Sequence, residues 1–279
     1  DISGINRISR QVLSNAAFAM AGMVTWRAGS VSSLNQAGQL SPSSLRSSAS
    51  DVKRDAILPP IENTSRGLTP PARQNEDKPL ICASMFGVTT LCVQHASKVL
   101  EEAGYEVLVF HATGSGGRAM ESLIAEGLIA GVLDITTTEL ADELVGGILT
   151  AGPDRLTAAE KHGVPQVVSV GATDMVNFGP RETVPEHFAD RQFHIHNATV
   201  TLMCTTEGEC SAIGRDMRDK LSHAPGPVTV LLPLQGVSAL DQQGQPFCDT
   251  NARQEIFGEV TQTEGENIIE TDAKTNYEV

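Results

Sequence analysis

The chain has 279 residues, 40% of them hydrophobic and only 4% aromatic, with a formal net charge of −14; this suits a soluble α/β protein of one large domain or two small ones. No run of about 18 apolar residues reads as a membrane span, and the opening at Asp1 lacks the basic-then-apolar order of a signal peptide. Residues 80–279 hold 11 Lys and Arg against 28 Asp and Glu, a balance that repels a phosphate backbone and argues against nucleic acid as a partner.

Residues 1–26 read as one helix, with Ile5, Ile8, Val12, Leu13, Ala16, Ala17 and Met20 near helical spacing. With no Met before Asp1, the sequence reads as a fragment or a processed chain. Residues 27–79 are rich in Ser, Pro, Gln and Asn and carry the pairs Pro59-Pro60 and Pro70-Pro71. They read as a disordered linker or insertion, because so little apolar surface cannot offset the entropy of ordering. Five cysteines (Cys82, Cys92, Cys204, Cys210 and Cys248) form an odd set without paired metal spacing, and Cys82 lies in an apolar run. Reduced thiols and a cytoplasmic location are expected.

From residue 80 to 279 strands and helices alternate. Leu80–Phe86 is an apolar strand, and Thr89 and Thr90 cap a helix whose inner face is Cys92, Ala96, Val99 and Leu100, closed by Gly104. Glu106–Phe110 is a second strand, followed by a Gly-rich loop and a helix with Ala119, Met120, Leu123 and Ile124 inward. Gly131–Ile135 is a third, followed by a Thr-capped helix carrying Leu140, Leu144 and Val145. A short helix near Leu156–His162, strands at Gln166–Val170 and Phe193–His196, a helix at Glu207–Leu221, a strand at Val228–Leu232, a helix at Asn251–Glu259 and a strand at Asn267–Glu270 complete the reading. Such units predict an α/β, Rossmann-like three-layer sandwich with a mostly parallel sheet.

In such a sheet every strand-to-helix loop leaves on one edge, where ligands bind. The stretch FHATGSGGRAME supplies Thr113, Gly114, Ser115, Gly116, Gly117 and Arg118 at a helix start, where bare N–H groups and the helix dipole favour an anion; Arg118 is able to fork onto a phosphate. Neighbouring loops add Thr89, Thr90, Thr136, Thr137, Thr138 and Gly171. Helix capping accounts for Thr89, Thr90 and Thr138 without a ligand, and a tight turn with nothing bound accounts for the glycines. Asp134 and Asp174 are candidates for Mg2+ or a ribose, and His111 and Asp174 for acid/base work.

GxxxxGK[ST] is absent, FGVTT follows the first strand where a dinucleotide fingerprint needs G-x-G-x-x-G, and Gly236-Val-Ser238-Ala-Leu240 lacks the second glycine of a nucleophile elbow. His194 and His196 share one strand face but lack a third ligand at metal-site spacing, which favours hydrogen-bonded strand residues.

The segments MFGVTT, FHATGSGGRAME, LDITTTELAD, SVGATDMVNFG and GVSALDQQGQPF, in this order, closely resemble the uncharacterised family that includes the tomato mosaic virus resistance protein. The resemblance covers residues 80 to about 257, with 1–26 as the join from a preceding domain. It implies the second of two Rossmann-like halves, ATP binding, dimers or another homo-oligomer, and a partner protein resembling TIM-barrel phosphoenolpyruvate mutases; Mg2+ as an accompanying ion rests on Asp134 and Asp174. The insertion at 27–79 is long for the family, and the end at Thr271–Tyr277 departs from its pattern. The leading expectation is a domain that binds ATP or another small phosphorylated or carboxylated metabolite at the strand ends. An enzyme acting on such a metabolite and a protein-interaction module are the alternatives.

Overall fold

The computed structural model describes residues 78–263 and 267–271. The helix expected over 1–26 and the linker expected over 27–79, residues 78 and 79 aside, lie outside the described residues. Nine strands are described: β1 (Leu80–Met85), β2 (Glu106–His111), β3 (Gly131–Thr136), β4 (Gln166–Gly171), β5 (Met175–Phe178), β6 (Phe193–Asn197), β7 (Val200–Cys204), β8 (Val228–Pro233) and β9 (Asn267–Thr271). The helices are α1 (Thr90–Glu102), α2 (Ser115–Ala125), α3 (Thr138–Val145), α4 (Ala158–His162), α5 (Glu207–Leu221) and α6 (Thr250–Val260).

Six strands make the main sheet in the order β2-β1-β3-β4-β8-β9, and every pairing in it is parallel. Strands β3, β4 and β8 are buried along their whole length, as continuous apolar runs require when both faces are covered. Side chains alternate between the faces. Ile81, Ala83, Leu133 and Ile135 pack with Cys92, Val93, Ala96 and Leu100 of α1. Cys82 and Val132 pack with Met120 and Ile124 of α2, while Val168, Val170, Val230 and Leu232 pack with α3, α5 and α6. This is the three-layer α/β arrangement expected. At its edge, β2 is the least buried strand of the main sheet among those with described side chains.

Helix boundaries follow local chemistry. Gly104 takes φ +95° after α1, a conformation cheap only for glycine. Thr206 caps α5 in a reciprocal pair with Glu209, and Asp249 caps α6 by accepting from Asn251 and Ala252. The threonines expected as caps behave differently. Thr89 and Thr137 stand at the cap positions of α1 and α3 but make no side-chain cap bond. One inward position is also corrected: Ala119 is exposed.

A second sheet, antiparallel in the order β5-β7-β6, was not legible beforehand apart from β6. Met175 of β5 and Leu202 of β7 pack with Ala172, Phe247 and the partly buried Phe86 and Val88. The small sheet therefore roofs the carboxyl edge of the main one.

Candidate functional site

Because the main sheet is parallel throughout, the segments after β1, β2, β3, β4 and β8 all reach one edge. The Gly-rich turn after β2 is explained by what it touches. Gly114 takes φ +82°, and a Cβ there would lie 2.6 Å from the Thr150 carbonyl oxygen. A Cβ on Gly116 would overlap the His111 carbonyl, and one on Gly117 the Glu139 carboxylate. That carboxylate sits where the sequence pointed to an anion: Glu139 Oε1 accepts from the Gly114 N–H at 2.6 Å and the Gly117 N–H at 3.1 Å. The start of α2 thus carries an anion supplied by the chain itself.

Glu139 belongs to a larger buried knot. The Arg155 side chain has no exposed surface. Its Nη1 and Nη2 donate to the two oxygens of Asp134 at 2.5 and 2.7 Å, and its Nε donates to Glu139 Oε2 at 2.7 Å. Nη1 also reaches Glu121 at 3.3 Å. Ser84 Oγ donates to Asp134 at 2.6 Å, and the backbone N–H groups of Leu156 and Ala158 donate to Glu121 at 2.6 and 2.8 Å. Every oxygen of the three carboxylates has a donor. Burial opposes the Arg155 charge, yet these acids, Asp134 foremost, hold its pKa well above the usual guanidinium value. Glu121 is raised, chiefly by burial. Leu156, next to Arg155, sits at φ +78°, a costly conformation for a non-glycine residue that persists only where its surroundings fix it.

At the β4–β8 side the arrangement differs. Ala172, another non-glycine at positive φ (+58°), turns the chain after β4 so that Asp174 points inward, 6% exposed. Ser238 Oγ donates to Asp174 Oδ2 at 2.6 Å, while Asp174 Oδ1 has no hydrogen-bond partner among the described residues. Burial first, then repulsion from Asp241, pushes the Asp174 carboxyl up to about 7. Asp241 is itself raised by burial, but it accepts from Arg253 Nη1 at 2.6 Å and from the Val237 N–H at 3.0 Å. Asp174 lines a cavity of about 10 Å3 with Thr173, Cys204, Thr205, Cys210 and Asp241. Burial pushes both thiols up to about 12, so they are inert.

A third feature lies on the outer side. Arg118, at the exposed start of α2, donates to the Thr150 carbonyl at 2.8 Å and also lines a groove of about 450 Å3 between α2 and α4. Lys161 and His162 line the same groove, Arg155 is at its base, and Asp154 and Glu121 are its acids.

The residues read as ligand-binding therefore divide. Ser115, Arg118 and His111 are exposed at the rim and Thr90, Thr113 and Gly116 half-buried, whereas Thr89, Gly114, Gly117, Thr136, Thr137, Thr138 and Gly171 are buried. Thr89 and Thr136 share a hydroxyl contact of 2.8 Å. Thr137 Oγ1 donates to the Ser169 carbonyl, and the Thr137 N–H to that of Gly171. Thr138 accepts from Asn177. Asp134, a candidate for Mg2+ or a ribose, is instead tied to Arg155 and Ser84. Among the described residues no group of three His, Cys, Asp or Glu is arranged to hold a metal ion, which includes His194 and His196. No helix of the described residues is long and apolar enough to cross a membrane.

Arg155 and Glu121 were missed. Arg155 follows Pro153-Asp154 in a stretch without periodicity, and the only hint of its role is that basic residues are scarce in so acidic a region. Asp241 and Ser238 stood in the right loop, but nothing in the loop sequence tied Ser238 to Asp174.

Residues 78–278 match the Uncharacterised protein family (UPF0261) C-terminal domain. A UPF0261 protein of Clostridium tetani (strain Massachusetts / E88) is 46% identical over 270 residues, covering 97% of this chain and 56% of the relative. The ToMV resistance protein Tm-1(GCR237) of Solanum lycopersicum is 44% identical over 252 residues, covering 90% of this chain and 28% of the relative. The ToMV susceptible protein tm-1(GCR26) gives the same figures, so similarity in this region does not separate resistance from susceptibility. The chain spans about half the length of the bacterial relatives it matches and little more than a quarter of the tomato proteins.

Proposed function

We propose that this chain, which belongs to the UPF0261 family and carries its C-terminal domain, binds the phosphate or carboxylate of a small metabolite along the groove between α2 and α4, with ATP as the ligand that the family resemblance implies. One observation carries the reading. In a region with 11 basic and 28 acidic residues, Arg118, Lys161, His162 and Arg155 are gathered around a single groove of about 450 Å3. A volume of this size suits a nucleotide or a comparable metabolite. Arg155 is already neutralised by its carboxylates and Lys161 lies 3.5 Å from Asp154, so the charges that draw an anion are those of the exposed Arg118 and of Lys161 once it exchanges Asp154 for the ligand. Arg118 joins the groove to the outer face of the Gly-rich turn, where Ser115 is exposed. In this reading Arg118 and Lys161 hold anionic oxygens, Ser115 adds a hydroxyl donor, and Arg155 stays bound to its carboxylates. Mg2+ has no seat on Asp134, whose oxygens are both taken.

Calorimetry with ATP, with and without Mg2+, tests this. Arg118→Glu and Lys161→Glu lower the affinity at least about tenfold each, since each removes a charge-assisted contact and adds repulsion. Absence of heat at millimolar ATP, or an affinity in both variants unchanged from the wild type, contradicts the reading. Gly116 is unsuitable for the test, because any side chain there collides with the His111 carbonyl.

A further inference from the structure

We infer that the chamber at Asp174 is a binding site for a water-sized monovalent cationic group, either an ammonium ion or the –NH3+ end of a small primary amine. The site is separate from the groove of the preceding section. Its central fact is a buried carboxylate with one oxygen met by Ser238 and the other, Oδ1, without a well-formed hydrogen bond among the described residues, the only further donor close to the carboxylate being the Asp174 backbone N–H itself. An ionised carboxylate left bare in this way is costly unless a proton or a cation reaches it. The cations nearby are engaged elsewhere. Arg253 is fixed on the Asp241 carboxylate and carbonyl at 2.6 and 3.0 Å, and Arg191 on Glu209 and the Cys204 carbonyl, both at 2.6 Å. Asp249 is occupied in capping α6.

Size and charge select the guest. The cavity, about 10 Å3, has room for one water-sized centre. Ammonium matches water in size and offers only donors, which suits an acceptor such as Asp174 Oδ1. Guanidinium and quaternary ammonium groups are too large. Among the described residues no set of three ligands suits a multivalent metal ion. The approach is acidic as well: Cys204, Thr205 and Asp249 also line a cleft of about 450 Å3 that includes Asp190 and Glu207 against Arg191. A cleft so charged concentrates cations.

The charge of Asp174 sets the pH response. Facing it are Asp241, Asp249 and Arg253 from the segment after β8 and from α6, Cys204 from β7 and Cys210 from α5. The Arg191–Glu209 pair lies beyond Cys204, and His194 packs against the Phe247 ring at 6.4 Å. The two thiols stay protonated. With Asp174 pushed up to about 7, the cation competes with a proton, so binding strengthens about tenfold between roughly pH 6 and 8.

The test is the rise in melting temperature of the whole chain at constant ionic strength in ammonium, methylammonium, sodium or tetramethylammonium chloride, at about pH 6 and 8. Ammonium stabilises, more so at the higher pH, and tetramethylammonium does not. Methylammonium acting as ammonium does assigns the site to the end of a primary amine, and ammonium acting alone assigns it to the ion. Asp174→Asn abolishes the effect. Ser238→Ala, which removes the donor that stabilises the Asp174 anion, moves the pH dependence upward and keeps the test decisive should Asp174→Asn fail to fold. Equal stabilisation by sodium or tetramethylammonium, an effect that persists in Asp174→Asn, or a pH dependence unmoved in Ser238→Ala overturns the inference.

Discussion

Two buried acid clusters stand along one sheet edge, and they have been completed differently. Around Arg155, Asp134, Glu139 and Glu121 have every oxygen paired, and the chain contributes its own anion to the helix start that the sequence marks for a ligand. Around Asp174, a carboxylate is equally hidden but one oxygen is bare, and its neighbouring arginine is bound to Asp241. The contrast teaches that polar loops at the carboxyl ends of a parallel sheet are not one crevice by default. In this protein one stretch of the rim is sealed by internal ion pairing, and another keeps unmet hydrogen-bonding capacity.

The contrast can be broken from the largest effect downward. Arg155→Met leaves the buried Asp134 and Glu139 and the half-buried Glu121 without their cation and costs about 3–5 kcal/mol in urea unfolding. The loss shrinks in acid, where the carboxylates take up protons; a loss under 1 kcal/mol would place the knot outside the stabilising core. Gly116→Ala comes next, at about 1–3 kcal/mol, because the added methyl overlaps the His111 carbonyl and the turn has to shift. Its thermal unfolding should show this even in the absence of any ligand.

A pH prediction follows from Asp174 and from Asp142, which burial also pushes up to about 7. A raised carboxyl pKa means that the folded state binds the proton more tightly than the unfolded one. The associated stability is therefore full below about pH 4 and is lost as pH rises through about 7. Asp174→Asn flattens this decline, and an unchanged slope from pH 4 to 7 would remove Asp174 from it. The exposed Lys98–Glu102 pair, 4.0 Å apart, gives the baseline: Glu102→Gln changes stability by less than about 0.5 kcal/mol, and a larger change would show that exposed pairs matter here too.

Much of the fold was legible because its parallel strands are short apolar runs between helices of clear period. The sequence reading placed the six strands of the main sheet and α5 at or within a residue or two of where they lie. The strands β5 and β7 escaped notice. Met175–Phe178 follows the polar turn Ala172–Asp174 and is four residues long, too short for a pattern, and Val200–Cys204 mixes Thr with apolar residues on a strand whose middle is buried. For the site, glycines and threonines marked the edge correctly but not their partners. The sequence cannot show that Glu139 folds back 25 residues onto Gly114, or that Ser238 reaches Asp174 across 64. Such pairs are set by sheet order, which no local motif encodes.

The most direct measurement is a carboxyl-carbon NMR titration of aspartate-labelled protein, with the Asp174 signal assigned from Asp174→Asn. The account predicts a midpoint near 7 that moves down when ammonium chloride is added. A midpoint in the ordinary range near 4, indifferent to ammonium, would contradict it.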